Sequence, residues 1–548
     1  MISKTKFLTA LASLFVSSVL ATPTIVTNVN GYTYTNTGEL KTFSELVFEN
    51  GKILATGANL QQRFQAAKQV DGKGKTLLPG ITDGHGHFIG LGFNLLNVDV
   101  RDVTSARATA AKVAEYAKTN PNLNWIKGRG WNQVLWQGKQ FPNAKDLDEV
   151  INDRPVVLDR VDGHAIWVNS KAMELAGIDG NTLAPKGGEI VKDEYGNPTG
   201  IFIDNAENLI KSKIPQPTKQ ETQAAYNKVS EHLLKLGITS MHDAGISHDD
   251  YHLFIDQVAQ GNAKVRIYGM LSAADPHLDT MLERGYISDN KDMLSIRSVK
   301  IYGDGALGSR GAALLKPYSD DPHNSGLLVT QPKELRQLYQ QILAHKFQIN
   351  IHAIGDRANR LALDEFEFAF KTQPYSKKLR HRVEHAQVIN VNDIPRFKQL
   401  GILPSMQPTH ATSDKNMAED RVGKERLKGA YAWQSFVKQG SKVIAGSDFP
   451  VELANPFYGL HAAVTRQDRN NQPESGWLKH EALDIKQAFK AFTIDAAYGA
   501  HQEKTLGGLE PGKWADFILV DRDIFEINPQ ELWKTQVLET WVAGKQIY

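Results

Sequence analysis

Short apolar, β-branched runs recur eight times along this chain, each followed by a stretch with helical spacing, and this alternation is the strongest constraint on its fold. The runs are Leu78 to His87, Ile238 to Asp243, Val265 to Met270, Ser298 to Gly303, Gln348 to Ala353, His381 to Ala386, Ile402 to Gln407 and Lys442 to Asp448. Strand and helix signals that alternate in this way mark βα units around a parallel sheet. Eight of them close most naturally into a (β/α)8 TIM barrel, and a doubly wound open sheet is the alternative. The helix before the second run is well punctuated. Thr218 and Glu221 form a Thr-x-x-Glu capping box, Ala225, Val229 and Leu233 recur every four residues, and Gly237 stands where the helix must stop.

The regions outside the repeat read differently. Residues 24 to 56 alternate and turn often, with a turn expected at Val29-Asn30-Gly31 and a hairpin at 48 to 52, and strands are expected at Ala515 to Asp521 and from Thr540 to Lys545. Chain ends commonly lie close together, so 22–77 and 503–548 are expected to build one β-sandwich beside a barrel of residues 78–502. The stretch from Arg101 to Pro217 is far too long for one crossover and is expected to be an inserted subdomain.

Composition removes several function classes. The 63 Lys and Arg nearly balance the 61 Asp and Glu, with no dense basic run, so a nucleic-acid footprint is not expected. Lys4 and Lys6 precede an uncharged apolar stretch from Phe7 to Ala21, which reads as a signal peptide over residues 1–21, cleaved after Ala21. Removing it leaves acids and bases in balance. No later segment offers about 18 uncharged apolar residues, so no stable membrane association is expected after cleavage. The sequence has 0 Cys, which excludes disulfides, thiolate metal sites and a cysteine nucleophile. A metal would have to be held by His, Asp, Glu or a modified Lys.

Such residues gather at the ends of the runs. In Asp83-Gly84-His85-Gly86-His87, period-two alternation points His85 and His87 the same way, and the glycine between them is expected to leave room for an ion against the backbone. His352 ends the fifth run, His385 falls at the end of the sixth, Asp448 ends the eighth, and Lys300 lies in the fourth. In a barrel, strand ends on one face build the site, so this placement favours a metal centre over structural histidines. Nitrogen and oxygen donors without sulfur suit a divalent transition metal, with zinc the default and Mn, Fe or Co compatible. An ammonium at Lys300 would be repelled by such an ion, so it is expected to be modified or held apart.

Seven motifs carry a family resemblance. They are Leu-Pro-Gly-Ile-Thr-Asp-Gly-His-Gly-His from 78 to 87, Asp-Gly-His-Ala-Ile-Trp-Val-Asn-Ser from 162 to 170, Gly-Gly-Glu-Ile-Val from 187 to 191, Val-Lys-Ile-Tyr-Gly-Asp-Gly from 299 to 305, Arg-Val-Glu-His-Ala from 382 to 386, Gly-Ser-Asp-Phe-Pro from 446 to 450, and Leu-Glu-Pro-Gly-Lys-Trp-Ala-Asp from 509 to 516. In this order they resemble the amidohydrolase superfamily, and within it the amidohydrolase-3 group that includes N-substituted formamide deformylase. The resemblance implies that His85 and His87 hold one metal with Asp448, that His352 and His385 hold a second position, and that Lys300 is carboxylated and bridges them. One or two ions are compatible with this ligand set. It also implies that Asp448 moves the proton in hydrolysis of an amide or similar C–N bond. Deaminases of the family usually lack the bridging lysine and carry a glutamate after the fifth strand, where this chain has Ala353-Ile354-Gly355-Asp356.

Other residues carry two readings each. His164 and Trp167 are candidates to contact substrate, or else belong to a packed turn. Arg310 is a candidate for a substrate carboxylate or carbonyl, against a solvated or paired arginine. Gln407 and His410 follow the seventh run and are further substrate-contact candidates. His242 and Asp243 read as structural hydrogen-bonding residues. Trp125, Trp131, Trp136 and Phe141 read equally as a small core or an apolar pocket. The expected protein is an exported hydrolase of a small amide, such as an N-substituted formamide or N-acyl compound, with the periplasm the favoured destination. A cyclic amide, carbamate or ester substrate, and a non-catalytic binding protein that keeps the barrel, are the alternatives. A small molecule is the expected partner, and a homo-oligomer is left open.

Overall fold

The computed structural model describes residues 22–161, 163, 165–185 and 188–548, with the side chains of Val134 and Asp204 outside that description. The expected signal segment 1–21, His164 and Gly187 lie outside the described residues.

All eight runs form parallel barrel strands. They are Ile81–Gly86, Ile238–Ile246, Arg266–Ser272, Leu294–Tyr302, Gln348–Ala353, Arg382–His385, Leu403–Met406 and Ile444–Ala445, each hydrogen-bonded to the next. The eighth and first strands meet at a seam made by a parallel bridge between Gly86 and Phe449 and by hydrogen bonds from Asp448 N to His85 O at 2.7 Å and from His87 N to Phe449 O at 2.8 Å. Asp83 fastens this seam by accepting from Ser447 Oγ at 2.6 Å and from His85 N at 3.1 Å. Glycine is required on the facing strand. A Cβ at Gly446 would stand 2.4 Å from His85 N, inside the limit for any non-bonded pair. At Gly86 the space a side chain would take is filled by the Phe449 ring, within 2.6–2.9 Å of a built Cβ, and not by room for an ion as the sequence suggested.

The outer helices bury apolar stripes on the barrel. Lys219–Lys235 begins at the expected capping box, with Thr218 Oγ1 accepting from Glu221 N at 3.2 Å and a Glu221 carboxylate oxygen accepting from Thr218 N at 2.7 Å. Ala225, Val229 and Leu233 are fully buried, and Gly237 takes a φ of 78° after the last turn. Burying each such Val or Leu contributes about 1.5–3 kcal/mol.

Both chain ends enter one sheet. Its order runs Lys545–Gln546, Val537–Val542, Phe517–Val520, Lys68–Pro79, Thr24–Tyr34, Glu45–Glu49 and Lys52–Gly57, with Leu40–Phe43 paired to Thr24–Tyr34. Leu77, Leu78 and Pro79 pair antiparallel with Leu519, Ile518 and Phe517, so the first barrel strand begins at Ile81 and not at Leu78 as expected. The expected turn at Val29-Asn30-Gly31 is also corrected. These residues lie inside Thr24–Tyr34, where Asn28 at φ 54° absorbs the irregularity as a register shift. The hairpin at 48 to 52 forms with Asn50 and Gly51 both at positive φ, 50° and 78°, as a two-residue turn demands.

Between the helix Phe88–Leu96 and the helix Lys219–Lys235 the chain builds a separate six-stranded sheet from residues 98 to 204. Its strand order is Gly188–Lys192, Pro198–Asp204, Ala165–Val168, Val156–Arg160, Ile126–Trp131 and Val98–Asp99. Apolar clusters line both of its faces, one around Trp131, Trp136 and Trp167 and the other around Ile166, Val168 and Phe202. Among the described residues no helix is long and apolar enough to cross a membrane.

Candidate metal centre

Strand ends bring the predicted ligands together. The side chains of His85 and Asp448 approach to 3.5 Å between Nε2 and Oδ1, and His87 Nε2 lies 3.2 Å from the same oxygen. One donor atom from each of His85, His385 and Asp448 falls within 4.8 Å of the other two. The His385 ring stands 4.8 Å from His85 and 4.5 Å from His352, centroid to centroid. His385 and Asp448 hold positive φ values, 70° and 63°, which non-glycine residues rarely adopt and which cost on the order of 1–3 kcal/mol each. The surrounding barrel over-determines them.

Each histidine is presented in a defined form. His85 Nδ1 is 2.5 Å from Glu384 Oε2, and both side chains are fully buried. Burial first, and the Lys300 charge second, push the His85 pKa down to about 4, so its imidazole is neutral at physiological pH. Its Nδ1–H therefore donates to Glu384, and the Nε2 lone pair faces Asp448. His385 is held in the same way, with Nδ1 2.7 Å from Gln407 Oε1, and burial places its pKa well below the ordinary histidine value. Burial opposes ionisation of Asp448. The hydrogen bond with His87 leads the opposing causes, which hold the carboxyl well below the usual carboxylate range.

Glu384 is anionic for a related reason. Burial raises its pKa, but the Arg382 guanidinium and His85 pull it below the carboxylate range. Arg382 Nε stands 2.7 Å from Glu384 Oε1, and its Nη2 donates to Gly84 O at 2.7 Å and Ser405 Oγ at 2.8 Å. Its Nη1 donates to His242 Nδ1 at 2.9 Å, which gives His242 the structural hydrogen bond expected of it. One buried arginine thus ties the first, second, sixth and seventh strands beneath the site.

The donor set fits a cation. The Nε2 atoms of His85, His352 and His410 are buried with no hydrogen-bond partner, and around them stand an ionised carboxylate and the neutral His385 imidazole. Neutral imidazole and carboxylate donors in this arrangement match a divalent transition metal, with His85, His87, His352, His385 and Asp448 as the residues able to hold it. Lys300 is 1% exposed, with its Nζ 4.8 Å from the Tyr302 ring centroid. Asp304, on the loop after the fourth strand, accepts backbone hydrogen bonds from Ala313, Ile354 and Gly355 at 2.8–2.9 Å and reaches within 3.4 Å of His352 Nε2.

The substrate-contact candidates separate. His410 faces the site, with Nε2 3.5 Å from Asp448 Oδ2 and its ring stacked on His385 at 5.9 Å. Gln407 is spent on orienting His385. Trp167 is corrected to a core residue: it is 0% exposed, packs on Trp131 and Trp136, and donates from Nε1 to Asn143 O at 3.0 Å. Trp131 and Trp136 belong to the same core, which favours the core reading over the pocket. Arg310 takes the paired form that was its other reading, with its Nε and Nη2 donating to the Asp320 carboxylate at 3.1 and 2.9 Å. Sequence reasoning missed Glu384 and Arg382. An Arg-x-Glu pair inside an otherwise apolar barrel strand was the available signal, since charges buried there need partners.

The amidohydrolase family model matches residues 68–548. The chain is 30% identical to the Bacillus subtilis protein YtcJ, named as an amidohydrolase, over 94% of this chain and 98% of that one. It is 27% identical to an N-substituted formamide deformylase of Arthrobacter pascens, over 91% of this chain and 94% of that one. Among solved structures it is similar to an uncharacterized metal-dependent hydrolase from Pyrococcus horikoshii, with a TM-score of 0.77 and 29% identity over 92% of this chain and 99% of that one. A match that runs from the sheet of the chain ends through every barrel strand shows that this chain belongs to the amidohydrolase family.

Proposed function

We propose that this protein is a metal-dependent hydrolase of a small amide, an N-substituted formamide or related N-acyl compound. The observation that carries the reading is the convergence of buried, unpartnered imidazole Nε2 atoms on the ionised Asp448 carboxylate. His85, His87 and Asp448 would hold one ion, and His352 and His385 a second position, with zinc the favoured metal. A carboxylated Lys300 would supply an anionic oxygen donor to the metal and would remove a physical conflict, since a buried ammonium that makes no ion pair among the described residues is costly. When bound, a divalent ion supplies Lewis acidity toward the carbonyl and acidifies water from a pKa of about 15.7 toward about 7.

The protein's own groups do the rest. Asp448, ionised and facing His410, accepts the proton of the attacking water and returns it to the leaving amine, so water adds to the carbonyl carbon as the C–N bond breaks. Glu384 and Gln407 keep His85 and His385 in the tautomer whose Nε2 can donate a lone pair. The formamide class is supported by the similarity to the Arthrobacter enzyme. In this reading residues 22–77 and 503–548 form the sandwich beside the barrel, 101–217 the inserted subdomain, and residues 1–21 direct export, with the periplasm the favoured destination.

The test is hydrolysis of a panel of N-substituted formamides and N-acyl amines, read as amine release, by wild type and Asp448→Asn. Metal-dependent turnover that falls at least a hundredfold in Asp448→Asn supports the reading. Turnover unchanged in that variant, or untouched by metal removal, overturns it.

A further inference from the structure

We propose that His248, His252 and His277 form a second transition-metal site, separate from the centre at the barrel mouth, that joins the helix after the second strand to the loop after the third. His248 and His252 are four residues apart on the helix His248–Ala259, so their rings share one face. Their Nε2 atoms stand 3.2 Å apart. Two ligands on one tetrahedral ion with bonds of about 2.0–2.1 Å are separated by roughly 3.3 Å, so this pair already has the spacing of one edge of such a site. Neither ring needs to move.

The helix end that carries them is rigid. Ser247 Oγ accepts from Asp250 N at 3.1 Å while the Asp250 carboxylate accepts from Ser247 N at 3.1 Å, closing a capping box around the first turn. Asp275, from the loop after the third strand, connects the two elements. Its Oδ2 accepts from His248 N at 2.8 Å, and its Oδ1 accepts from His277 N at 2.8 Å and lies 3.2 Å from His277 Nδ1. A carboxylate on Nδ1 leaves His277 Nε2 as the free lone pair, the arrangement that raises the basicity of metal-binding histidines.

The His277 ring stacks on His248 with centroids 4.3 Å apart and planes 27° from parallel. Its side chain is 57% exposed, and bringing its Nε2 onto the His248–His252 pair takes a side-chain rotation that gives up this stack. Three imidazoles and a water complete a tetrahedral shell. All-nitrogen sites of this kind select Zn, Cu or Ni over Mg or Ca. Because both elements lie at the C-terminal ends of barrel strands, the ion would lock two loops that border the catalytic mouth.

The experiment uses the full protein with its catalytic metal in place, titrated with Zn2+ alone and counted by elemental analysis after equilibrium dialysis. The expected result is one further saturable equivalent in wild type, absent from a His248→Gln/His252→Gln double variant and bound at least tenfold more weakly by His277→Ala. These variants keep the catalytic metal and the hydrolytic activity of wild type, and Asp448→Ala, altered at the other centre, keeps the further equivalent. Uptake that persists in the double variant, or a wild type that takes up no further zinc, overturns the proposal.

Discussion

Glu384 Oε2 lies 2.5 Å from His85 Nδ1, with both side chains fully buried and Arg382 closing the other side of the carboxylate. This makes the ligand form of His85 depend on a charge that is itself compensated chiefly by Arg382. Replacing Glu384 by Gln removes the anion and strands the guanidinium. Breaking a buried pair in this way costs about 3–5 kcal/mol. A fall in melting temperature and a metal affinity reduced roughly 10–100-fold are expected for Glu384→Gln, measured by thermal unfolding and metal titration. Unchanged metal affinity would mean that His85 needs no orienting partner.

Gln407 orients His385 without carrying charge, so its loss separates positioning from electrostatics. In Gln407→Leu the His385 ring loses its Nδ1 acceptor while the barrel keeps its ion pairs. Metal affinity is expected to drop about tenfold with only a small change in thermal stability. A KM effect at full metal occupancy would instead restore the substrate-contact role that the sequence suggested.

The seam between the eighth and first strands tolerates no side chain at Gly446. A Cβ there would meet His85 N at 2.4 Å and Asp83 Oδ1 at 2.7 Å, and backbone cannot step aside as a flexible side chain can. Gly446→Ala is expected to destabilise by roughly 1–3 kcal/mol and to loosen metal binding, because His85 moves with the strand. Denaturant titration beside metal counting checks both effects.

Protonation of His381 gives a stability signature away from the metal ligands' own chemistry. Its Nδ1 accepts from Ile349 N at 2.9 Å, its ring stacks on Phe366 at 5.0 Å, and burial lowers its pKa to about 3. The unfolded chain binds this proton near pH 6.5 and the folded protein only near 3. Between those values the unfolded state holds more protons, so stability falls as the pH drops through that window. His381→Gln is expected to flatten that slope by about one proton, read from unfolding midpoints across pH. An identical slope in both proteins would contradict the assignment.

Arg310 serves as a contrasting control. Exposed pairs such as Arg310 with Asp320 contribute about 0–1 kcal/mol, so Arg310→Ala is expected to leave both the melting temperature and KM nearly unchanged. A large rise in KM would bring back a substrate role for this residue.

The barrel was legible because its strands are short apolar runs that end in ligand-type residues, a local pattern with a fixed period. Thr218 with Glu221 marked a helix start for the same reason, since capping is decided within four residues. What local pattern cannot carry is the choice of distant partners. Leu78 and Pro79 read as the start of a barrel strand because their true neighbours, Ile518 and Phe517, lie at the far end of the chain. Trp167 sits in a family motif yet fills a core, since only three-dimensional packing brings Trp131 and Trp136 against it. The metal ligands could be picked from strand ends, while the groups that orient them, Glu384 and Gln407, became visible only once their strands were side by side.

In the proposed function the strand-end histidines, Asp448 and Lys300 together hold the catalytic metal. The decisive measurement is elemental analysis of the purified His248→Gln/His252→Gln protein beside the same protein carrying Asp448→Ala or Lys300→Ala. Bound divalent metal in the parent, with reduced occupancy in both variants, is the expected result. Equal metal in all three proteins, or none in the parent after reconstitution, would contradict it.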